Sequence, residues 1–134
     1  MEFSANGKYI VGGGDELGVW RLEDGKQMAT VEAKDVLCLA VSNDGGWIGA
    51  GTFWGDVFVW DAKTYEKVIS HWEDYNFILG VDFSPDSTRL VSASDNGTAS
   101  TWDIATGKRV QTLDHGVDWV RAAKYSPQIG RAHV

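Results

Sequence analysis

The sequence predicts an all-β chain built from a repeated four-stranded antiparallel unit. Three observations carry this. Sixteen glycines and seven tryptophans share 134 residues with only two prolines, a mixture that suits short strands joined by tight turns rather than helices. Turn serines recur at Ser4, Ser42, Ser84 and Ser126, spaced 38, 42 and 42 apart, and Trp20, Trp60 and Trp102 follow at 40 and 42. No stretch of about 11 residues or more holds a convincing helical period.

The elements follow in order within each unit. An apolar run, residues 36–41 or 77–83, reads as a buried strand and ends in a turn whose Asn, Asp, Pro and Gly set the dihedrals. In the first unit only the end of that strand is expected, at residues 1–4. A second run follows at 9–12, 47–51 and 89–94. After it come turns such as Gly55-Asp56 and Asp95-Asn96-Gly97, then a third run that closes on Trp20, Trp60 or Trp102. That pair of runs is a hairpin. A further turn, rich in Lys with Gly or Thr, leads to a last short strand at 28–31, 67–70 and 109–113. The first unit is two residues short, at Asp15-Glu16.

Composition excludes several classes of function. Twelve Lys and Arg stand against nineteen Asp and Glu, a net charge of -7 that repels nucleic-acid backbones and anionic lipid and favours basic partners. No apolar run approaches the roughly 20 residues of a membrane helix. A single cysteine, Cys38, cannot form an internal disulfide, and Met1-Glu2-Phe3-Ser4 lacks the features of a signal peptide. The expected compartment is intracellular, cytoplasmic or nuclear.

Several residues set in register resemble the WD40 repeat family: Val81-Asp82-Phe83-Ser84-Pro85-Asp86, Leu90-Val91-Ser92-Ala93-Ser94, Thr101-Trp102-Asp103 and Thr106-Gly107-Lys108. The Trp-Asp pair recurs at Trp60-Asp61, while the first unit departs with Trp20-Arg21. The Gly-His pair expected before each unit is degraded to Ser70-His71 and Asp114-His115, and residues 32–35 hold no histidine. The resemblance implies a partial β-propeller of about three four-stranded blades. Residues 1–35 would be a partial blade, 36–76 and 77–118 full ones and 119–127 the start of the next. Another meander, such as a quinoprotein-type propeller, is the rival suggested by residues 103–108.

Propellers close a ring of about 4 to 8 blades, so three blades are expected to be a fragment of a larger protein. The segment 128–134 breaks the repeat and looks like a one-frame translation of a common sequencing adapter, a non-native tail, with a natural linker as the alternative.

Catalytic chemistry finds no constellation here. His71 and His115 fall at equivalent repeat positions, as structural residues would, and His133 lies in the suspect tail. The resemblance implies a buried network joining His71, Ser92 or Ser94, and Trp102, with Asn96 in place of the family's turn Asp. Trp20 and Trp60 are the equivalent structural tryptophans. Cys38, between Leu37 and Leu39, reads as a small core hydrophobe. Gly12-Gly13-Gly14 and the glycines at 49, 51 and 55 lack the lysine or helix of a phosphate loop and read as turn or close-packing residues. No catalytic, cofactor-binding or metal-binding residue is expected.

Surface recognition remains. Large aromatics at turns that need only small or polar residues are the anomaly: Phe53-Trp54, then Trp72 and Tyr75 around Glu73-Asp74, and Asp118-Trp119 in the next unit. Phe53, Trp54, Trp72, Asp74, Tyr75, Asp118 and Trp119 are the candidate partner-binding residues, on one rim around the channel. Aromatics beside carboxylates suit a basic, partly apolar peptide. The alternative is that Trp54 and Trp72 pack between neighbouring blades. The expected function is a non-enzymatic protein- or peptide-binding scaffold. Its rival is a structural or regulatory arc that orients a catalytic or nucleotide-binding domain of a longer chain.

Overall fold

The strands run where the repeated turns allow them. The computed structural model describes residues 2–3, 9–12, 16–21, 23–72, 76–114, 124–125 and 132–133, and among these there is no helix. Strands β1 (Glu2–Phe3), β2 (Tyr9–Gly12), β3 (Glu16–Arg21) and β4 (Gln27–Glu32) form one antiparallel sheet in chain order. A second sheet holds β5 (Val36–Val41), β6 (Trp47–Thr52), β7 (Asp56–Asp61) and β8 (Lys67–Trp72). The third holds β9 (Ile78–Phe83), β10 (Arg89–Ser94), β11 (Thr98–Asp103) and β12 (Lys108–Asp114). A short pair, β13 (Lys124–Tyr125) with β14 (Ala132–His133), follows, and residues 126–131 lie outside the described residues. Each large sheet is the four-stranded meander that the sequence predicts. The three tryptophans stand at equivalent places, Trp20 opposite Ile10, Trp60 opposite Ile48 and Trp102 opposite Leu90.

Turn chemistry explains the repeat. Ser42 Oγ accepts from Trp47 N at 3.0 Å and donates to Asp44 Oδ1 at 2.6 Å. The next blade repeats the device, Ser84 Oγ accepting from Arg89 N at 3.0 Å and donating to Asp86 Oδ1 at 2.6 Å. The Asp of each Trp-Asp pair caps the following turn: Asp61 Oδ1 accepts from Lys63 N at 2.7 Å, and Asp103 Oδ1 from Ala105 N at 2.9 Å. Blade one has Arg21 at that place and keeps the turn by another route. Arg21 Nη2 meets Asp24 Oδ2 at 2.6 Å, and Asp24 Oδ1 accepts from Lys26 N at 3.0 Å. The left-handed turn position is Gly25 at φ 69° and Gly107 at φ 71°, but Tyr65 at φ 61°, so the repeat imposes there a conformation that a bulky side chain disfavours.

The Asp86 turn gives an acid-sensitive link. Hydrogen bonds from Ser84, then from the Thr88 side chain and backbone, lower Asp86 from the usual 3.8 to about 2. A depressed carboxylate contributes stability that is present above its unfolded value and is lost as pH falls through the folded one. Stability is therefore expected to decline from about pH 4 toward pH 2. In Asp86→Asn the decline should be shallower; identical urea midpoint profiles over that range would remove this turn as a source.

The core lies in the seams between sheets. Leu17 and Val19 of β3 meet Ile48, Ala50 and Trp60 of the second sheet. Val57, Val59 and Ile69 meet Ile78, Phe83, Leu90 and Trp102 of the third. Each seam tryptophan thus packs toward the preceding sheet, Trp60 at 2% and Trp102 at 3% exposure. Trp20 stays half-buried and lies over Gly18, whose missing Cβ leaves room for the indole.

Every outer strand carries a bulge beside its seam tryptophan. Trp20 pairs with Gln27 and Val19 with Ala29, which leaves Met28 unpaired. Val68 and Val110 are unpaired in the same way opposite Trp60 and Trp102. All three are exposed, and the bulges interrupt edges that would otherwise offer a regular ladder to another strand.

Candidate partner-binding face

The loops preceding β5 and β9 and the turns after β6 and β10 lie at one end of the blades. Phe53 N donates to Asp35 O at 2.9 Å, and Asp95 N to Phe77 O at 2.9 Å, which ties each turn to the loop before its own inner strand. At this end Phe53, Trp54 and Trp72 are exposed by 40%, 46% and 47%. Trp54 Nε1 donates to Asp35 Oδ2 at 2.7 Å, and Trp72 Nε1 donates to Trp54 O at 3.0 Å. Phe53 stands edge-on to Trp54, with centroids 5.2 Å apart, and stacks on Phe77 at 4.5 Å. These side chains form a connected aromatic surface, held by its own hydrogen bonds.

Two placements differ from the sequence reading. Trp72 and His71 end strand β8 rather than sitting in the loop after it, Trp72 opposite Asp56 and His71 opposite Val57. The indole bond to Trp54 O accompanies this longer strand. Asp74, Tyr75, Asp118 and Trp119 lie outside the described residues. Sequence reasoning missed Phe77, read only as part of an apolar run, although an aromatic 42 residues after Asp35 was a usable signal. It also missed Leu37, 48% exposed at the bulge between Val36 and Cys38, since alternation gives no warning of a bulge.

The network around Trp102 is partly assembled. Trp102 Nε1 donates to Ser92 Oγ at 3.0 Å, so Ser92 rather than Ser94 joins the indole. His71 lies against the Trp102 ring at 4.7 Å, and its Nε2 is 2.7 Å from Arg109 Nη2. A guanidinium has only donors, so Nε2 is the accepting nitrogen in this contact. Ser94 Oγ is buried and finds no partner among the described residues. In blade two the equivalent Thr52 Oγ1 donates to Asp56 Oδ2 at 3.2 Å; blade three has Thr98 there, which turns instead to Asn96 Oδ1 at 2.6 Å.

Cys38 is held as a core thiol. Burial pushes it up to about 12, and its Sγ donates to Ile78 O at 3.5 Å. It should resist alkylation by iodoacetamide in the folded chain and react on unfolding; fast labelling under native conditions would contradict this placement. Among the described residues no group of three His, Cys, Asp or Glu side chains could hold a metal ion, and no helix is long and apolar enough to cross a membrane.

The WD40 family model, described as WD domain, G-beta repeat, matches residues 25–61 and 64–103. The chain belongs to the WD40 repeat family. Its WD40 sequence is 36% identical over 84 residues to WD repeat-containing protein 1 of Mus musculus, an alignment covering 60% of this chain and 14% of that protein. It is 27% identical over 139 residues to an mRNA export factor of Xenopus tropicalis, covering 92% of this chain and 38% of that one. The WD40 fold also matches a solved structure of U3-55K, with a TM-score of 0.81 at 20% identity, over 91% of this chain and 40% of that one. The chain therefore spans well under half the length of these relatives. WD40 domains bind other proteins and generally serve as non-catalytic scaffolds.

Proposed function

We propose that the chain is an arc of WD40 blades that binds a segment of another protein on the face carrying Phe53, Trp54 and Trp72. The observation that supports this most is the exposure of two tryptophans on turns and strand ends that the fold could build from small residues. The occupant proposed is a basic, partly apolar peptide rather than nucleic acid, met inside the cell. The net charge of -7 supports that choice. Asp74, Tyr75, Asp118 and Trp119 remain candidates on their sequence positions. We also read the three sheets as part of a larger ring, because three blades are fewer than the smallest closed propeller.

Trp54→Ala tests the reading. Trp54 is 46% exposed, so its loss should change stability by less than about 1 kcal/mol while weakening a partner by about 2 kcal/mol, roughly 30-fold. A quantitative pull-down with wild type and variant, beside their melting curves, reads both effects. Equal retention of every bound protein by the two chains would reject the face as a binding site.

A further inference from the structure

We infer that this face takes an arginine side chain of its partner flat against the indole of Trp54, and turns away acceptor groups such as phosphate and carboxylate. The inference rests on the binding face proposed above and names its chemistry.

An indole has one hydrogen-bond donor and no acceptor. The Trp54 donor is committed to Asp35 Oδ2 at 2.7 Å and the Trp72 donor to Trp54 O at 3.0 Å. An incoming phosphate or carboxylate would have to displace one of these bonds. What the exposed Trp54 ring offers is its π face, which carries negative potential and attracts cations. Phe53, set edge-on to Trp54 and stacked on Phe77, helps hold the Trp54 ring in place, so less side-chain freedom is left to lose on binding.

Charge points the same way. Asp35, Asp56 and Asp95 stand in or beside the turns at this end, against Lys34 as the one Lys or Arg among the described residues of those turns and loops. A carboxylate has about four lone-pair positions, so Asp35 retains acceptor capacity beyond its bond to Trp54. Guanidinium suits both features better than ammonium, being planar, weakly hydrated and able to stack on a ring while donating in its own plane. The chain already uses this contact internally: Arg109 lies 5.0 Å from the Trp102 ring centroid, and Lys67 Nζ 4.0 Å from that of Phe58.

Acetylated hexa-arginine amide is the probe, with hexa-lysine and hexa-glutamate peptides beside it, titrated into the full chain and followed by tryptophan fluorescence. Expected is saturable hexa-arginine binding, several-fold tighter than hexa-lysine and with no response to hexa-glutamate. Trp54→Ala, which leaves the net charge unchanged, should weaken hexa-arginine at least tenfold; Trp54→Phe should retain most of the affinity and Asp35→Asn should lose about threefold. Hexa-arginine binding that is indifferent to Trp54→Ala, or a preference for hexa-glutamate, overturns the inference. If a protein partner still depends on Trp54 in the pull-down while hexa-arginine does not, only this chemistry fails. If neither depends on Trp54, the binding face fails with it.

Discussion

Trp102→Ala is expected to cost about 3–5 kcal/mol of folding stability, the range of a large aromatic truncation in a packed core. Trp102 is 3% exposed and fills the seam beside Ile78, Phe83 and Leu90. It also makes polar contacts that a smaller residue cannot. Its indole donates to Ser92 Oγ at 3.0 Å, and its faces meet the His71 ring and the Arg109 guanidinium. Truncation removes the donor from a buried hydroxyl and strips the contact that spans from β8 of blade two to β12 of blade three. Trp20→Ala provides the contrast, because Trp20 occupies the equivalent strand position yet is only half-buried. Urea unfolding followed by far-UV circular dichroism should show a much larger loss for Trp102 than for Trp20. Equal losses would mean that the seam is not what makes the residue costly to remove.

The repeat was legible because its determinants are local. Ser42 and Ser84 bind turn groups two to five residues away, and Asp61 and Asp103 cap turns two or three residues on, so spacing in sequence reports the geometry directly. Trp20-Arg21 looked like a departure, and its compensation was three residues away at Asp24. What the sequence hid depends on neighbours 19 to 38 residues distant. The resemblance joins His71 to Trp102, but nothing near His71 announces that Arg109 will stand at its Nε2. Likewise the stack of Phe53 on Phe77 joins two blades, and Asp35, 19 residues before Trp54, is what holds its indole at the surface. The bulges at Met28, Val68 and Val110 escaped for a different reason. An apolar residue ejected by a bulge has the same sequence signature as one that points inward.

Gly51→Val should be the most disruptive small-to-large change in the described core, at about 3 kcal/mol, the upper part of the usual range for overpacking. Gly51 sits in the middle of the second sheet, opposite Cys38 on β5 and Val57 on β7. A Cβ there would run into Ile78 Cγ2 of the next blade and lie 2.7 Å from both Ile78 Cβ and Cys38 Sγ. Gly49, two residues earlier on the same face, receives Leu90 and Phe83, its Cβ position being 3.1 Å and 3.2 Å from their carbons. The two glycines therefore make a notch into which β9 and β10 pack, and Ile78, fully buried, is the side chain that fills it. Neither Ile78 nor Cys38 has an easy retreat, since both are wedged between sheets and the thiol is hydrogen-bonded to Ile78 O. If the clash is the cause, shortening the intruding side chain must relieve it. Gly51→Ala combined with Ile78→Ala should then cost less than the sum of the two single changes by about 1 kcal/mol or more, a coupling expected of residues in direct contact. Strict additivity of the urea midpoints in that double-mutant cycle would show that Gly51 is required for its backbone and not for the space it leaves.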